Sequence, residues 1–162
     1  MSATVTAQAW SALCDVVAVA EDNAAFFAAV NAARREWVGD GMLTISAYDA
    51  ERCCLARLWS SDRLAYPVGA IKYKADTPWT RQVLQRGEVF IGEGDAEIAA
   101  VFDDHKRIRG CGMHAILNVP LVWRRRCVGT FNVLRSQERW AADEIVYLRV
   151  LAQLTVPAVL AW

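Results

Sequence analysis

The stretch AILNVPLVWRRRCVGTFNVL, residues 115–134, predicts a β-hairpin. Two runs rich in branched and aromatic residues, 115–123 and 127–134, flank the basic triplet 124–126. Runs of this composition separated by a short polar turn are typical of paired antiparallel strands. If residues 124–126 form the loop, Trp123 faces Cys127, and counting back places Asn118 opposite Asn132.

This asparagine pair is unusual, because asparagine is depleted in β-strands. The two amides would lie side by side on one face of the sheet, and buried amides need hydrogen-bond partners. Two interpretations stay open. The pair marks an exposed strand face, or it forms the polar floor of a ligand pocket.

The segments around this hairpin predict an α+β fold with one mainly antiparallel sheet and helices packed on it. Residues 10–20 and a segment that starts at Asp22 or Asn23 have helical patterns, and GDG at 39–41 ends the second helix. Its predicted buried face is Phe26, Val30, Ala33 and Trp37. The other predicted elements are a hairpin over 42–59, a short helix over 78–85, a strand over 88–92, a short helix over 95–102 and a terminal helix over 141–157.

Composition excludes several classes of protein. The chain has 162 residues, 55% of them hydrophobic and 22% charged, which is typical of one globular domain. Lys plus Arg equals Asp plus Glu, so the chain has no excess of positive charge for nucleic acid or an anionic membrane. The N-terminal segment has no basic region and its apolar runs are short, so we expect no membrane span and a cytoplasmic protein.

The cysteines and histidines indicate neither a disulfide framework nor a metal centre. Five cysteines form no CxxC pair, which favours reduced thiols. The two histidines lack the spacing of a zinc site. We therefore expect no metal and no cofactor.

The region from Ile108 to the end resembles a GAF domain. The matching features are the triplet Val119-Pro120-Leu121, Gly129 beside branched residues, and Asp143-Glu144 at the start of the closing amphipathic helix. The resemblance implies a GAF/PAS-like central antiparallel sheet, with the N- and C-terminal helices on one face. Residues 1–40 would supply N-terminal helices that pack with the C-terminal helix, and 41–162 the GAF-like part of one compact domain.

The resemblance also implies a stand-alone sensor or regulatory domain that acts as a homodimer, with a small-molecule pocket between the sheet and the crossover segment. Its partners would be a small organic metabolite, with an anionic group as one option, and a separate output protein. Lys72 and Arg109 are the candidate partners of an anionic group. The predicted ligand-binding residues are Trp59, Tyr66, Lys72, Trp79, Phe102, Asp104, His105, Cys111, His114, Asn118 and Asn132.

A small catalytic GAF protein is the alternative. Free methionine-(R)-sulfoxide reductases resemble this chain in size, and Cys111 would then be the nucleophile, but no cysteine lies between Tyr66 and Ile108 to resolve it. The second version is acid/base chemistry by Asp104 and His105, with His114 as a further candidate. Asp103 or Asp104 would also make a natural N-cap for a short helix over 105–109, and this interpretation is favoured for one of the two acids.

Overall fold

The computed structural model describes residues 5–162, and it has the predicted α+β architecture. Residues 1–4 of the predicted N-terminal segment lie outside the described residues. In chain order the elements are α1 (Ala7–Ala18), α2 (Asn23–Val38), β1 (Met42–Asp49), β2 (Cys54–Ser60), β3 (Ile71–Tyr73), a π-helical turn (Thr80–Gln85), β4 (Phe90–Glu93), α3 (Asp95–Val101), α4 (His105–Gly110), β5 (Ala115–Trp123), β6 (Arg126–Arg135) and α5 (Ala142–Leu160).

The six strands form one antiparallel sheet in the order β3-β2-β1-β6-β5-β4. Asn118 pairs with Asn132, as predicted, although the turn is shorter than predicted. Trp123 pairs with Arg126, and a bulge between Leu121 and Val122 absorbs the one-residue difference. The register prediction is therefore confirmed, while the predicted three-residue loop is wrong.

One face of the sheet carries the main hydrophobic core. Strand side chains alternate between faces, so Leu43, Ile45, Leu117 and Phe131 all reach this side. Residues of α1, α2 and α5 pack against them. In α2 it is Phe27 rather than the predicted Phe26 that is fully buried, because the helix is rotated slightly from the predicted face.

The turn after α2 is organised by a buried arginine. Arg34 is 1% exposed, and its guanidinium donates to the Asn31 side chain and to the carbonyl oxygens of Gly39 and Gly41, at 2.8, 2.9 and 3.0 Å. Burial lowers the pKa of Arg34 to about 10. Carbonyl oxygens where a helix ends have no backbone N–H donor within the helix, and the guanidinium supplies donors in their place.

The closing helix begins in a fixed position against the sheet. The Glu144 carboxylate accepts a hydrogen bond from the Ala141 amide at 2.8 Å and forms an ion pair with Arg135 at 3.0 Å. The Arg135 guanidinium stacks on the Trp140 ring at 3.9 Å. None of the helices within residues 5–162 is long and apolar enough to cross a membrane.

The crossover between β2 and β5 covers the opposite face of the sheet. It contains β3, the π-helical turn, β4, α3 and α4. Tyr66, Ile98 and Ile108 pack there on Ile116 and Leu134. A second group, formed by Leu55, Trp79, Val83 and Leu84, packs beside it.

Candidate functional site

A cavity of about 110 Å³ lies between the sheet and this crossover segment, and it is partly open to solvent. Its floor comes from β1, β2, β5 and β6, and its walls come from the crossover. The lining residues are Thr44, Ser46, Leu55, Arg57, Tyr66, Ala70, Lys72, Lys74, Trp79, Phe102, Asp104, Ile108, Ile116, Asn118, Asn132 and Leu134.

The floor is a row of hydrogen-bonded polar side chains. Asn118 donates to the Asn132 side-chain oxygen at 2.8 Å, and it accepts from the Trp79 indole nitrogen at 2.9 Å. Asn132 in turn donates to the hydroxyl oxygens of Thr44 and Thr130, at 3.2 and 3.1 Å. Since each hydroxyl accepts from the same amide, each keeps its own proton to donate. Thr44 lines the cavity, and its hydroxyl proton has no acceptor assigned among the residues that form this floor.

Aromatic side chains form the walls. Trp79 and Phe102 meet edge to face with ring centroids 6.2 Å apart, and Tyr66 is buried beside them. Burial first, and then the nearby Asp104 carboxylate, raise the pKa of Tyr66 well above its usual value. The Tyr66 hydroxyl therefore stays protonated at neutral pH, 3.5 Å from an Asp104 oxygen.

Three cations and one carboxylate line the cavity, so its local charge is positive. The Lys72 Nζ lies 3.8 Å from the Asp104 Oδ1, so the ammonium and the carboxylate form an ion pair. Lys74 lies over the Trp79 ring at 4.1 Å. Burial first, and then the Lys72 ammonium, lower the pKa of Lys74 to about 8, although Asp104 and Asp103 act in the opposite direction.

The third cation is Arg57, whose guanidinium is held at one end. It donates to the Pro67 carbonyl oxygen at 3.1 Å and stacks on Tyr66 at 5.1 Å. Its buried Nε–H has no hydrogen-bond partner among residues 5–162. Burial lowers the pKa of Arg57, because the charged guanidinium loses water contacts that its protein partners do not fully replace.

Seven of the predicted ligand-binding residues lie around this cavity. They are Tyr66, Lys72, Trp79, Phe102, Asp104, Asn118 and Asn132. Asp104 occupies the N-cap position of α4, but its side chain makes no capping hydrogen bond and lies near Lys72 and Tyr66 instead.

Trp59 belongs to the opposite face of the sheet. Simple alternation along β2 would place residues 55, 57 and 59 on one side. Ile45 pairs with Trp59 while the next residue, Ser46, pairs with Arg57, so Leu58 is an extra residue at a bulge. The bulge reverses the alternation, and Trp59 packs into the main core. It does not line the cavity.

The two histidines and Cys111 lie outside the cavity lining. The His105 Nδ1 is 2.9 Å from the Phe102 carbonyl oxygen, so His105 and Asp104 have different partners and form no acid/base pair. His114 bonds Asp95 at 2.7 Å.

Arg109, the second predicted partner of an anion, also lies at Asp95. Its Nε is 3.3 Å from a carboxylate oxygen of Asp95 and its side chain is largely exposed. The hydrogen bond from His114 is the main cause of the lowered pKa of Asp95. Arg109, Asp95 and His114 thus form a surface cluster apart from the cavity.

The structure places Cys111 and the upstream cysteines on different elements. Cys111 is half-buried at the end of α4, whereas Cys53 and Cys54 lie on the first hairpin. Within residues 5–162 no group of three or more His, Cys, Asp and Glu side chains is arranged to hold a metal ion.

Two cavity cations, Arg57 and Lys74, are not among the predicted ligand-binding residues. Lys74 follows Lys72 by two residues, and a period of two places both side chains on one side of an extended chain. That signal was present in IKYK. Arg57 carried no comparable signal, because the bulge at Leu58 decides which side it reaches.

The model of the GAF domain family matches residues 14–159. Among solved structures, the GAF domain of an Acinetobacter phosphoenolpyruvate-protein phosphotransferase is 14% identical, with a TM-score of 0.74 over 99% of this chain and 96% of that one. The equivalent domain from Coxiella burnetii is 13% identical, with a TM-score of 0.74 over 95% of this chain and 92% of that one.

A GAF domain/HD domain protein from Geobacter sulfurreducens is 18% identical, with a TM-score of 0.68 over 94% of this chain and 98% of that one. No curated protein sequence matches the chain. At these identities the solved structures support the fold alone.

Proposed function

The chain belongs to the GAF family, a family of small-molecule-binding sensor and regulatory domains, and on that premise we propose that it binds a small organic anion in the cavity above Asn118 and Asn132. The observation that carries the proposal is the charge of the lining. Arg57, Lys72 and Lys74 face a single carboxylate, Asp104, in a partly buried space. A bound anion would compensate the two cations that Asp104 does not neutralise.

The size and polarity of the cavity restrict the ligand further. Its volume of about 110 Å³ is well below the roughly 300–1,000 Å³ of pockets for drug-sized ligands. The walls are aromatic and the floor offers a hydroxyl donor, Thr44. A compact metabolite with one carboxylate or phosphate and a short apolar body fits both properties.

We also propose that the protein acts as a homodimer through α5. Val146, Val150 and Leu154 follow one another at intervals of four residues, so they form one stripe on this helix. They are 54%, 41% and 43% exposed and line a surface groove of about 700 Å³. Pairing two copies would bury this apolar stripe, and a separate output protein would then detect the occupied dimer.

A thermal-shift screen against small anionic metabolites tests the binding proposal. A ligand at one hundred times its dissociation constant stabilises the folded state by about 2.7 kcal/mol, which raises Tm by roughly 5–10 °C at this chain length. Each hit is then analysed by mass spectrometry, and recovery unchanged is expected for a sensor. Consumption of the hit would instead identify an enzyme.

Matched variants locate the binding site. Lys72→Gln removes a cavity cation and should weaken binding by about tenfold, the loss typical of one charge-assisted contact. Lys106→Gln makes the same change on exposed α4, outside the cavity, and should leave the response unchanged. Equal responses in the two variants would contradict the site.

Light scattering coupled to size-exclusion chromatography tests the dimer. Val150→Glu should shift the protein toward the monomer mass, because it places a charge in the apolar stripe. Leu64→Glu, at a fully exposed loop position, is the control. A monomeric parent protein, or a Val150→Glu variant that stays dimeric, would contradict pairing through α5.

A further inference from the structure

We propose that the cavity takes a small 2-oxo acid and holds it covalently, as an imine formed between the ligand carbonyl carbon and the Lys74 amine. This inference rests on the proposed binding of an organic anion in the same cavity. It adds a chemical class for the ligand and a nucleophile that fixes it.

The surroundings of Lys74 differ from those of the other two lysines in the chain. Lys72 has a carboxylate partner in Asp104, and Lys106 is exposed on α4. Lys74 forms no ion pair within residues 5–162, and its amine lies against the Trp79 ring inside the cavity. It is therefore a partly buried amine that no carboxylate pairs with directly among those residues.

This environment activates the amine as a nucleophile. With its pKa lowered to about 8, about a tenth of Lys74 is neutral at pH 7. An ordinary lysine has only about one neutral molecule in a few thousand at that pH. The charged groups that act on Lys74 are Lys72, Asp104 and Asp103, and the Lys72 ammonium is the one that favours the neutral form. A desolvated lysine beside another cation is the arrangement by which proteins prepare an amine for Schiff-base chemistry.

The remaining cations suit the carboxylate of a 2-oxo acid. Arg57 lines the same cavity, and its buried Nε–H lacks a partner among residues 5–162. Lys72 lies on the same side of the chain as Lys74. In a 2-oxo acid the carboxylate is bonded directly to the carbonyl carbon. Anchoring it on the Arg57 guanidinium, with the Lys72–Asp104 pair beside it, would place that carbon in the same cavity as the Lys74 amine.

The step balances without any external oxidant or reductant. The lone pair of neutral Lys74 forms a C–N bond to the carbonyl carbon, and the carbonyl π-electrons move to oxygen, which takes a proton as the amine loses one. The resulting carbinolamine then releases its hydroxyl group with a proton as water, and a C=N bond forms. The products are one imine and one water, and release of the ligand is the reverse hydrolysis.

Reductive trapping with pyruvate and, separately, glyoxylate tests the inference on the full chain. Sodium cyanoborohydride adds hydride to the imine carbon and leaves a stable secondary amine. Intact mass should increase by the mass of the probe plus two hydrogens minus one water. Fragmentation of the peptides should place the adduct on Lys74 at least about tenfold above Lys72 and Lys106 at pH 7.

Variants supply an independent readout. Lys74→Arg keeps the positive charge but lacks a nucleophilic amine, so it should lose the adduct. Lys106→Arg, outside the cavity, should keep it. Cyanoborohydride reduces the protonated iminium, so trapping is compared at pH 7, where the parent protein should form the adduct and an ordinary lysine is almost fully protonated.

Thermal shifts without reductant separate the two proposals. If either probe raises Tm but forms no adduct, or labels the three lysines equally, the imine is overturned and anion binding stands. If neither probe forms an adduct nor shifts Tm, the imine is again overturned, and the wider anion screen decides the proposed function. A Lys74 adduct that disappears in Lys74→Arg supports both.

Discussion

Replacing Asn118 with leucine should destabilise the protein strongly, even though leucine has a similar size and suits a buried strand. Asn118 is 4% exposed and has a partner for each end of its amide. Its oxygen accepts from the Trp79 indole at 2.9 Å, and its nitrogen donates to the Asn132 oxygen at 2.8 Å. Asn118→Leu removes both bonds and leaves two buried polar groups without a partner.

The magnitude follows from those two groups. An unsatisfied buried donor or acceptor costs about 1–3 kcal/mol, so the two together would cost about 2–6 kcal/mol. The cavity is partly open, and water that enters it can partly compensate the Asn132 oxygen. We therefore expect a loss of about 2–4 kcal/mol in the free energy of unfolding, or roughly 4–16 °C in Tm for a chain of this length.

Urea denaturation followed by tryptophan fluorescence measures this loss directly. Gln137→Leu, which removes an amide from an exposed turn, is the matched control and should change the free energy of unfolding by less than about 0.5 kcal/mol. The double variant Asn118→Leu/Asn132→Leu should be less destabilised than the sum of its singles, because it removes donor and acceptor together. An Asn118→Leu protein as stable as the control would refute the hydrogen-bonded floor.

Three further results are expected. Lys74→Met should raise the free energy of unfolding by about 1–2 kcal/mol at pH 7 relative to Lys106→Met, because it removes a desolvated ammonium. The pKa of Lys74 is lowered on folding to about 8, so the unfolded chain binds more protons from about pH 8 to pH 10.5 and the parent gains stability over that window. The advantage of Lys74→Met should therefore shrink there, and a constant difference in pH-dependent urea titrations would contradict the shift. Gly129→Ala should prevent or severely weaken folding, seen by circular dichroism, because the added Cβ would overlap the Ser46 carbonyl oxygen. A Cβ added at Gly110 meets no atom within 4 Å, so Gly110→Ala should fold normally. Arg34→Met should lower the free energy of unfolding by about 2–4 kcal/mol in the same urea assay, because the Gly39 and Gly41 carbonyl oxygens lose their donor; a loss below about 0.5 kcal/mol would contradict that role.

The sequence was most informative where regular periodicity extends through an element. Alternation along the last two strands predicted the Asn118–Asn132 pair, and it succeeded partly because the bulge after Leu121 cancelled the error in loop length. A bulge in β2 had the opposite effect on Trp59. Bulges add one residue without a reliable signal in a single sequence, and one residue exchanges the two faces of a sheet.

Residues 103–114, which include the candidates Asp104, His105, Cys111 and His114, show a second limit: side chains close in sequence do not all reach one place. Along this segment, Asp104 lines the cavity, His105 bonds a backbone carbonyl, and His114 bonds Asp95. A short helix and a turn point successive side chains in different directions. The composition of the segment therefore overstated its chemistry.

Buried polar or charged groups that lack a partner indicate the site better than the presence of reactive residue types does. A core satisfies its buried polar groups internally, as the Asn118–Asn132 floor does. In the cavity walls, the buried Arg57 Nε–H has no hydrogen-bond partner among residues 5–162, and burial lowers the pKa of Lys74. Such groups reduce the stability of the empty protein, and one anion bound between them would compensate both at once. The cavity thus carries a local deficit of negative charge, which is why the proposed ligand is an anion and why its affinity should fall as salt rises.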